Sequence, residues 1–360
     1  MPPGGRLRCG NRQDMTRAPR KTQGIMRSSE HSPLSLLWPR PLPPGGTIGI
    51  VSPSGPSSPE SLARAVAALE NRGYRVVVGE SAGSAGGAIH PYLAGADEGR
   101  LRDLNHFLGD PSIDLILCAR GGYGAGRLLD RLDYDAARRD PKPLVGYSDV
   151  TALSLAFAAR AGVVTFSGIM ATAGHGFGED TLDPHSEAGF WLAVGDHGFP
   201  RTFERPEGTA PWTIHRAGPG GALTLTGTVY PVCLSLLTSL VGTPYVPDLA
   251  GAILVIEDIH EELYVVDRCL TQLRLAGLLE NLTAILIGSF NGTTPEEDAL
   301  LERGVPALCL ALAPEHVAVA SGVAYGHIPR RMTLPVGGVA EVDLAAGTLA
   351  YQANRYQGRH

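Results

Sequence analysis

Basic residues are in deficit in this sequence. Its 36 Asp and Glu outnumber its 30 Lys and Arg, which gives a formal net charge of −6. Nucleic acids and anionic membrane surfaces both select for clusters of positive charge. Long apolar runs are also missing, because Gly, Pro or charge interrupts each candidate before the roughly 20 residues that a membrane-spanning helix requires. We therefore expect no nucleic-acid partner and no membrane association.

Cysteine is scarce, and the few cysteines are scattered along the chain. Their number is odd and no CxxC pair occurs, so the pattern favours neither a disulfide framework nor a thiolate zinc site. The five positions are Cys9, Cys118, Cys233, Cys269 and Cys309. No apolar segment follows the basic residues near the N-terminus, as a secretory signal would require. A reducing, cytoplasmic location is the expectation.

Common signatures of metal and cofactor sites are absent as well. The chain has 11 histidines but no HExxH motif and no close histidine pair at helical spacing. The glycine-rich segment 120–126 lacks the Gly-Lys-Ser/Thr ending of a P-loop and matches a dinucleotide fingerprint only loosely. We expect neither a metal nor a cofactor, and a dinucleotide-dependent enzyme is the weakest alternative.

A length of 360 residues exceeds what one hydrophobic core usually supports, so we predict two packed domains. The first residues are rich in Arg, Pro, Ser and Gly, and they form either a disordered tail or a stretch upstream of a true start at Met15 or Met26. The predicted segments are a tail at 1–45, an N-terminal α/β domain at 46–173, an interdomain connection at 174–220 with a short helix near 188–194, and a β-rich C-terminal domain at 221–352.

Short apolar runs alternate with segments of helical periodicity in the first predicted domain, which indicates a parallel sheet covered by helices. Its predicted strands lie at 47–51, 74–78, 115–119 and 144–147. The second predicted domain has strands at 252–256 and 284–288, and its final apolar runs at 333–337 and 340–344 are typical of a β-hairpin. In parallel sheets the functional loops lie at the carboxyl ends of the strands.

Ser148 lies at one of these loops, between the run 144–147 and the helical segment 150–161. A serine at a tight strand-to-helix turn exposes its hydroxyl above the sheet, and the helix N-terminus can stabilise an oxyanion. The same position suits a simple N-cap, with Asp149 favouring the helix dipole. The sequence pattern alone favours the cap.

Two further groups follow apolar runs. Glu257 and Asp258 come directly after the run 252–256, either as catalytic carboxylates at a strand end or as a solvated acidic turn. His327 lies in a Tyr-Gly-His-Ile-Pro turn, where imidazole could act as a general base near neutral pH. Neither position is diagnostic by itself.

Six motifs in order carry a resemblance that covers most of the chain from Gly46 to Leu344. They are 47–51 with Ser54-Gly55-Pro56, Tyr92-Leu93-Ala94-Gly95, Cys118-Ala119-Arg120-Gly121-Gly122-Tyr123-Gly124, Gly146-Tyr147-Ser148-Asp149-Val150-Thr151-Ala152-Leu153, Ile256-Glu257-Asp258-Ile259-His260-Glu261 and Tyr325-Gly326-His327. Together they resemble the serine L,D-carboxypeptidase family, which includes muramoyltetrapeptide carboxypeptidases and microcin C immunity peptidases.

The resemblance implies an α/β fold with a Rossmann-like N-terminal domain containing a parallel sheet and a β-rich α+β C-terminal domain. It also implies a catalytic triad in which Ser148 is the nucleophile, His327 the general base and Glu257 the carboxylate that orients the base. The substrate would be murein tetrapeptide, which loses its terminal D-alanine during cell-wall recycling. No cofactor or metal is implied, and the expected assembly is a homodimer.

The resemblance further implies which groups surround the nucleophile. Backbone N–H groups of Asp149 and of Gly121 or Gly122 are the candidates for an oxyanion hole. Arg120 either pairs with the substrate carboxylate through its planar guanidinium or holds its own loop in place. Both interpretations of Arg120 stay open.

Two departures from the family pattern bear on specificity. Pro231-Val232-Cys233 stands where relatives commonly have Gly-Gly-Asn, and Ile169 stands where they often have Pro. One alternative is therefore the same triad acting on a peptidyl-nucleotide or another amide, with an aromatic of 174–221 stacking on the base. The candidate aromatics are Phe177, Trp191, Phe199, Phe203 and Trp212. The other alternative is a non-catalytic peptide-binding module.

Overall fold

Two β-sheets, one of six strands and one of eight, form the framework of the protein. The computed structural model describes residues 36–84, 86, 90–172 and 175–353. The strands are β1 (Thr47–Val51), β2 (Arg75–Val78), β3 (Leu115–Cys118), β4 (Leu144–Val145), β5 (Thr165–Ser167), β6 (Arg201–Glu204), β7 (Thr213–Arg216), β8 (Thr224–Cys233), β9 (Ile253–Ile259), β10 (Ala284–Asn291), β11 (Ala318–Ser321), β12 (Leu334–Val336), β13 (Gly338–Asp343) and β14 (Thr348–Tyr351).

Helices connect most of the parallel strands. They are α1 (Pro59–Glu70), α2 (Asp97–Gly109), α3 (Tyr134–Arg139), α4 (Thr151–Ala156), α5 (Pro184–Val194), α6 (Leu234–Ser239), α7 (Leu263–Leu275) and α8 (Pro295–Leu312), with 3-10 turns at Ala125–Arg131, Ser148–Val150 and Pro219–Gly221 and a π-helical turn at Phe157–Ala161. Local chemistry sets the helix starts: Ser58 caps α1, and Thr294 and Glu297 form a capping box at α8. Among the described helices, none is long and apolar enough to span a membrane.

The first sheet has the order β12-β5-β4-β3-β1-β2. Strands β1 to β5 are parallel, and only β12 runs antiparallel, alongside β5. The central strands β1 and β3 are buried along their whole length, which explains why they read as continuous apolar runs rather than as alternating patterns. The predicted alternation of strands and helices in this part of the chain is confirmed.

The second sheet has the order β6-β14-β13-β8-β9-β10-β11-β7. Its central strands β8 to β11 are parallel, whereas β13, β14 and β6 on one side and β7 on the other are antiparallel. This mixed, strand-rich arrangement agrees with the expected α+β class. The segment 174–220, predicted as a connection, contributes helix α5 and both edge strands of this sheet, β6 and β7.

The predicted hairpin between 333–337 and 340–344 is wrong. Strand β12 pairs with β5 in the first sheet, whereas β13 pairs with β8 and β14 in the second. Gly337, with φ of +88°, turns the chain from one sheet to the other. Both runs are apolar enough to be buried in either sheet, so their pattern did not specify the pairing partner.

Residues 36–45, which the sequence assigns to the tail, pack onto the first sheet and its neighbours. Arg40 donates hydrogen bonds to Asp114 and Asp140, and the Trp38 ring packs edge-on against Tyr351. Asp114 also accepts a hydrogen bond from the backbone of Thr47 at 2.8 Å, which ties this segment to the start of β1. Residues 1–35 of the predicted tail lie outside the described residues.

Helix α4, which follows Ser148, is buried at all six of its residues. It packs against α6 of the second sheet, and the Thr151 hydroxyl accepts a hydrogen bond from the backbone of Cys233 at 3.3 Å. The turn that carries Ser148 is therefore held between the two sheets.

The buried strand β10 offers a test of this packing. Leu286 is fully buried in β10, whereas Leu300 of α8 is 46% exposed. We expect Leu286→Ala to lower the free energy of unfolding by about 2–5 kcal/mol, because it leaves a cavity in a core that cannot collapse fully. Leu300→Ala, the matched control, should change it by less than about 0.5 kcal/mol. Urea unfolding followed by circular dichroism measures both, and equal effects would contradict the described core.

Candidate active site

Ser148 occupies a strained turn between β4 and α4. Its φ is +63°, a left-handed conformation that non-glycine residues rarely adopt. Such strain is typical of serines presented at a strand-to-helix turn. A Cβ added to Gly121 would lie 2.8 Å from Ser148 Cβ and 3.1 Å from its Oγ. Only glycine at position 121 therefore leaves room for the Ser148 hydroxyl.

Glu257 and His327 form a hydrogen-bonded pair at the carboxyl ends of the second sheet. Glu257 is fully buried in β9, and its Oε2 lies 2.6 Å from Nδ1 of His327, which follows β11. Because a carboxylate accepts, Nδ1 carries the proton of this bond and Nε2 is left for proton transfer. Burial raises the pKa of Glu257, and the hydrogen bond with His327 opposes that rise.

Tyr147 brings the serine turn and the histidine loop together. Its ring packs against the His327 ring with centroids 4.9 Å apart, and Ser148 is the next residue along the chain. In the part of the chain that the structure describes, no hydrogen bond joins Ser148 Oγ to His327. In unliganded enzymes such bonds often form or shorten only when substrate is bound.

Gly326 makes the histidine turn possible. Its φ is +117°, and an added Cβ would lie 2.9 Å from Glu257 Oε2 and collide with the Ser289 hydroxyl. The backbone of this turn is thus pressed against the carboxylate that binds His327. Position 326 of the Tyr-Gly-His motif therefore requires glycine for two reasons: its φ is positive, and no side chain fits beside Glu257 and Ser289.

The Asp149 side chain links three loops of the first sheet. Its carboxylate accepts hydrogen bonds from the Ser54 hydroxyl at 2.6 Å and from the backbone of Ala125 at 2.8 Å. Burial raises the pKa of this carboxyl, and the Ser54 hydrogen bond counteracts the rise. Asp149 therefore ties the Ser148 turn to the loops that follow β1 and β3.

The candidate oxyanion groups lie in this same loop cluster. The carbonyl of Gly121 accepts a hydrogen bond from the backbone of Gly55 at 3.1 Å, and Gly122, with φ of +114°, packs against Gly55. The structure thus places the 120–124 loop directly beside Ser148. The side chain of Asp149 has a structural task in addition to the predicted role of its backbone N–H.

Arg120 contacts its neighbouring loop. Its Nη1 donates to the Pro56 carbonyl at 3.2 Å, whereas its buried Nε has no hydrogen-bond partner among the described residues. The loop-holding interpretation therefore matches an observed contact. The unpartnered N–H leaves the substrate-binding interpretation open.

The two sequence departures lie in buried positions. Cys233 pairs with Glu257 in the sheet register, and its thiol lies 3.3 Å from Asp258 Oδ1. Burial, followed by the charges of Glu257 and Asp258, raises the pKa of that thiol well above its usual range. Ile169 is fully buried in the core.

Sequence reasoning missed the roles of the Tyr147 ring, the Ser54 hydroxyl and the Asp149 carboxylate. All three residues stand within the quoted motifs, so the motifs marked these positions as important. They did not predict which contacts the side chains make. Among the described residues, no group of three or more His, Cys, Asp or Glu side chains is arranged to hold a metal ion.

Comparison with protein-family models identifies both halves of the chain. The model described as LD-carboxypeptidase N-terminal domain matches residues 48–168, and that described as LD-carboxypeptidase C-terminal domain matches residues 226–342. The two matches together span well over half of the chain.

Individual relatives match over most of their lengths. A protein of Bacillus subtilis named as a probable murein peptide carboxypeptidase is 33% identical over 332 residues, 89% of this chain and 96% of the relative. The microcin C7 self-immunity protein MccF of Escherichia coli is 26% identical over 322 residues, 84% of this chain and 92% of the relative. The crystal structure of a muramoyltetrapeptide carboxypeptidase from Oxalobacter formigenes superposes with a TM-score of 0.68 at 29% identity, covering 85% of this chain and 99% of that one.

The tight histidine turn can be tested through stability. Gly326 and Gly322 both have positive φ, but an added Cβ at Gly322 would meet nothing closer than 3.6 Å. We expect Gly326→Ala to lower the free energy of unfolding by about 1–3 kcal/mol more than Gly322→Ala, since overpacking adds to the backbone strain that both variants share. Urea unfolding curves give the difference. Equal losses would show that the turn is not pressed against Glu257.

Proposed function

Because the chain belongs to the LD-carboxypeptidase family, we propose that it is a serine carboxypeptidase that releases the terminal D-alanine of murein tetrapeptide. The observation that carries the proposal is the buried Glu257–His327 pair, which Tyr147 places beside the strained Ser148 turn. A buried carboxylate, an imidazole and the half-buried Ser148 hydroxyl are the groups needed for acyl transfer by a serine nucleophile.

In the proposed reaction, Ser148 Oγ attacks the carbonyl carbon of the bond between the L-centre of the diamino acid and D-alanine. Nε2 of His327 takes the serine proton and then gives it to the leaving amine. Glu257 holds Nδ1 of the ring and stabilises the imidazolium that forms in between. A water molecule, activated by the same imidazole, then hydrolyses the acyl-enzyme.

The loops around Ser148 would stabilise the negative charge that develops on the carbonyl oxygen. The backbone N–H groups of Asp149 and of Gly121 or Gly122 are the proposed donors. Their loops are fixed in advance by the hydrogen bonds of Asp149 and Gly55. Removing one such donor typically costs about 3–4 kcal/mol of transition-state stabilisation.

Arg120 is the proposed partner of the substrate's terminal carboxylate. Among the described residues, its buried Nε has no hydrogen-bond partner. Arg120 also directly precedes Gly121, one of the proposed oxyanion donors. A buried guanidinium N–H favours an anionic acceptor.

Murein recycling would take place in the cytoplasm, the compartment that the cysteine pattern predicts. The proposed assembly is a homodimer.

A peptidyl-nucleotide amide is the second candidate substrate, supported by the similarity to the E. coli immunity protein. The aromatic residues that were candidates for stacking on a base are engaged elsewhere. Phe177, Phe203 and Trp212 are buried, Trp191 stacks on Tyr74, and Phe199 packs edge-on against Trp38. These contacts within the protein support tetrapeptide over a nucleotide-linked substrate.

Release of D-alanine from murein tetrapeptide tests the proposal. We expect Ser148→Ala to reduce kcat about a thousandfold or more, because the acyl-enzyme can no longer form. Ser154→Ala is the matched control: Ser154 lies in α4, is buried, and its hydroxyl has no partner among the described residues. It should retain wild-type turnover, and added EDTA should not affect the wild-type rate.

No release from the folded wild-type protein would reject the tetrapeptide proposal. Thermal protection by AMP but not by tetrapeptide would then favour a nucleotide-linked amide. Protection by tetrapeptide without turnover would establish a peptide-binding module.

The role of Glu257 has its own test. We expect Glu257→Gln to lower kcat about 10³- to 10⁴-fold with little change in KM, because a neutral amide cannot stabilise the imidazolium or fix the ring tautomer. The control Glu261→Gln alters a half-buried carboxylate four residues further along and should keep wild-type kinetics. An active Glu257→Gln variant would remove Glu257 from the mechanism.

A further inference from the structure

Arg331 is a buried arginine in the loop between His327 and β12. Only 1% of its surface is exposed. Its guanidinium carbon lies 4.1 Å from the centroid of the Tyr147 ring, and its Nη1 donates to the Gly326 carbonyl at 3.2 Å. The backbone N–H of Arg331 donates to the Ser186 hydroxyl at 2.9 Å, which fixes the base of the side chain.

These contacts reach both reactive residues through their chain neighbours. Tyr147 precedes Ser148, and Gly326 precedes His327. Tyr147 also packs against the His327 ring, so its aromatic ring contacts the guanidinium and the imidazole. One side chain thereby holds the nucleophile turn of the first sheet and the histidine turn of the second.

We propose that Arg331 is a positioning residue that sets the alignment of Ser148 with His327 by holding Tyr147 and Gly326. The inference rests on the proposed function, since alignment matters only if these residues react. Arginine suits this task because its planar guanidinium can stack on a ring and donate in its own plane at the same time, which an ammonium group cannot do.

Burial constrains the position of the Arg331 guanidinium. A desolvated guanidinium is costly unless its surroundings compensate it, so a fully buried arginine has a strong preference for the one arrangement that provides these contacts. Burial raises the pKa of Glu257, the hydrogen bond and charge of His327 oppose that rise, and the positive charge of Arg331 opposes it further.

Arg201 provides a matched control. It is also buried, its guanidinium lies over the Phe199 and Trp38 rings, and it donates to the carbonyls of Ala193 and Gly198. Its contacts involve neither Ser148 nor His327. Arg331→Met and Arg201→Met therefore remove the same kind of buried interaction at two different places.

Kinetics on murein tetrapeptide separate positioning from general stability. We expect Arg331→Met to lower kcat about 10- to 100-fold with KM within about twofold of wild type, because a displaced nucleophile slows chemistry more than binding. Arg201→Met should keep wild-type kcat even where it lowers the melting temperature equally. A folded Arg331→Met protein with wild-type kcat would overturn the inference.

A double-mutant cycle tests whether Arg331 acts through Tyr147. If it does, Tyr147→Leu combined with Arg331→Met should lower kcat little more than the larger single change, whereas Tyr147→Leu and Arg201→Met should combine additively. Additive losses for Arg331 and Tyr147 would reject the shared route.

Proton NMR gives a readout that needs no turnover. The Nδ1 proton of His327, in its short bond with Glu257, should resonate far downfield, and its disappearance in His327→Gln assigns it. We expect Arg331→Met to shift or broaden this signal and Arg201→Met to leave it unchanged. If the wild-type protein cleaves no tetrapeptide, the proposed function fails, while this signal still decides whether Arg331 holds the histidine turn. An unchanged signal in Arg331→Met would overturn the inference.

Discussion

The hydrogen bond between Glu257 and His327 is the interaction around which the site is built. A carboxylate fully buried at the end of a parallel strand would be unfavourable without a partner. His327 provides that partner at 2.6 Å, and Gly326 allows the backbone to approach closely enough to form the bond. The hydrogen bond that compensates the buried charge of Glu257 thereby also orients the imidazole ring of His327.

The first sheet supplies the serine by a different physical device. Ser148 adopts a left-handed conformation that the surrounding contacts must enforce. The Asp149 carboxylate, the close approach of Gly121 and the buried helix α4 all restrict that turn. The first sheet thus compensates the strain at Ser148, and the second compensates the buried charge of Glu257. The Tyr147 ring, which precedes Ser148 and packs against His327, connects the two parts.

Much of this organisation was predictable from sequence because its causes are local. Buried parallel strands give continuous apolar runs, and the motifs around Ser148, Glu257 and His327 stand at strand ends. The contacts of Arg331 with Tyr147 and Ser186 were not predictable, since they join residues far apart in the chain and have no periodic signature. The predicted hairpin between β12 and β13 was wrong for a related reason. A short buried strand has the same apolar sequence pattern in either sheet, so the pattern does not identify its partner.

Strand β12 has a consequence for how the chain is made. It covers the edge of β5 in the first sheet, although it is one of the last strands along the chain and β5 lies near the middle. During vectorial synthesis, the β5 edge stays open until almost the whole polypeptide has left the ribosome. An unpaired strand edge is a template for intermolecular association. A fragment ending after the first five strands would retain that open edge, which makes the last tenth of the chain a safeguard against aggregation of the first half.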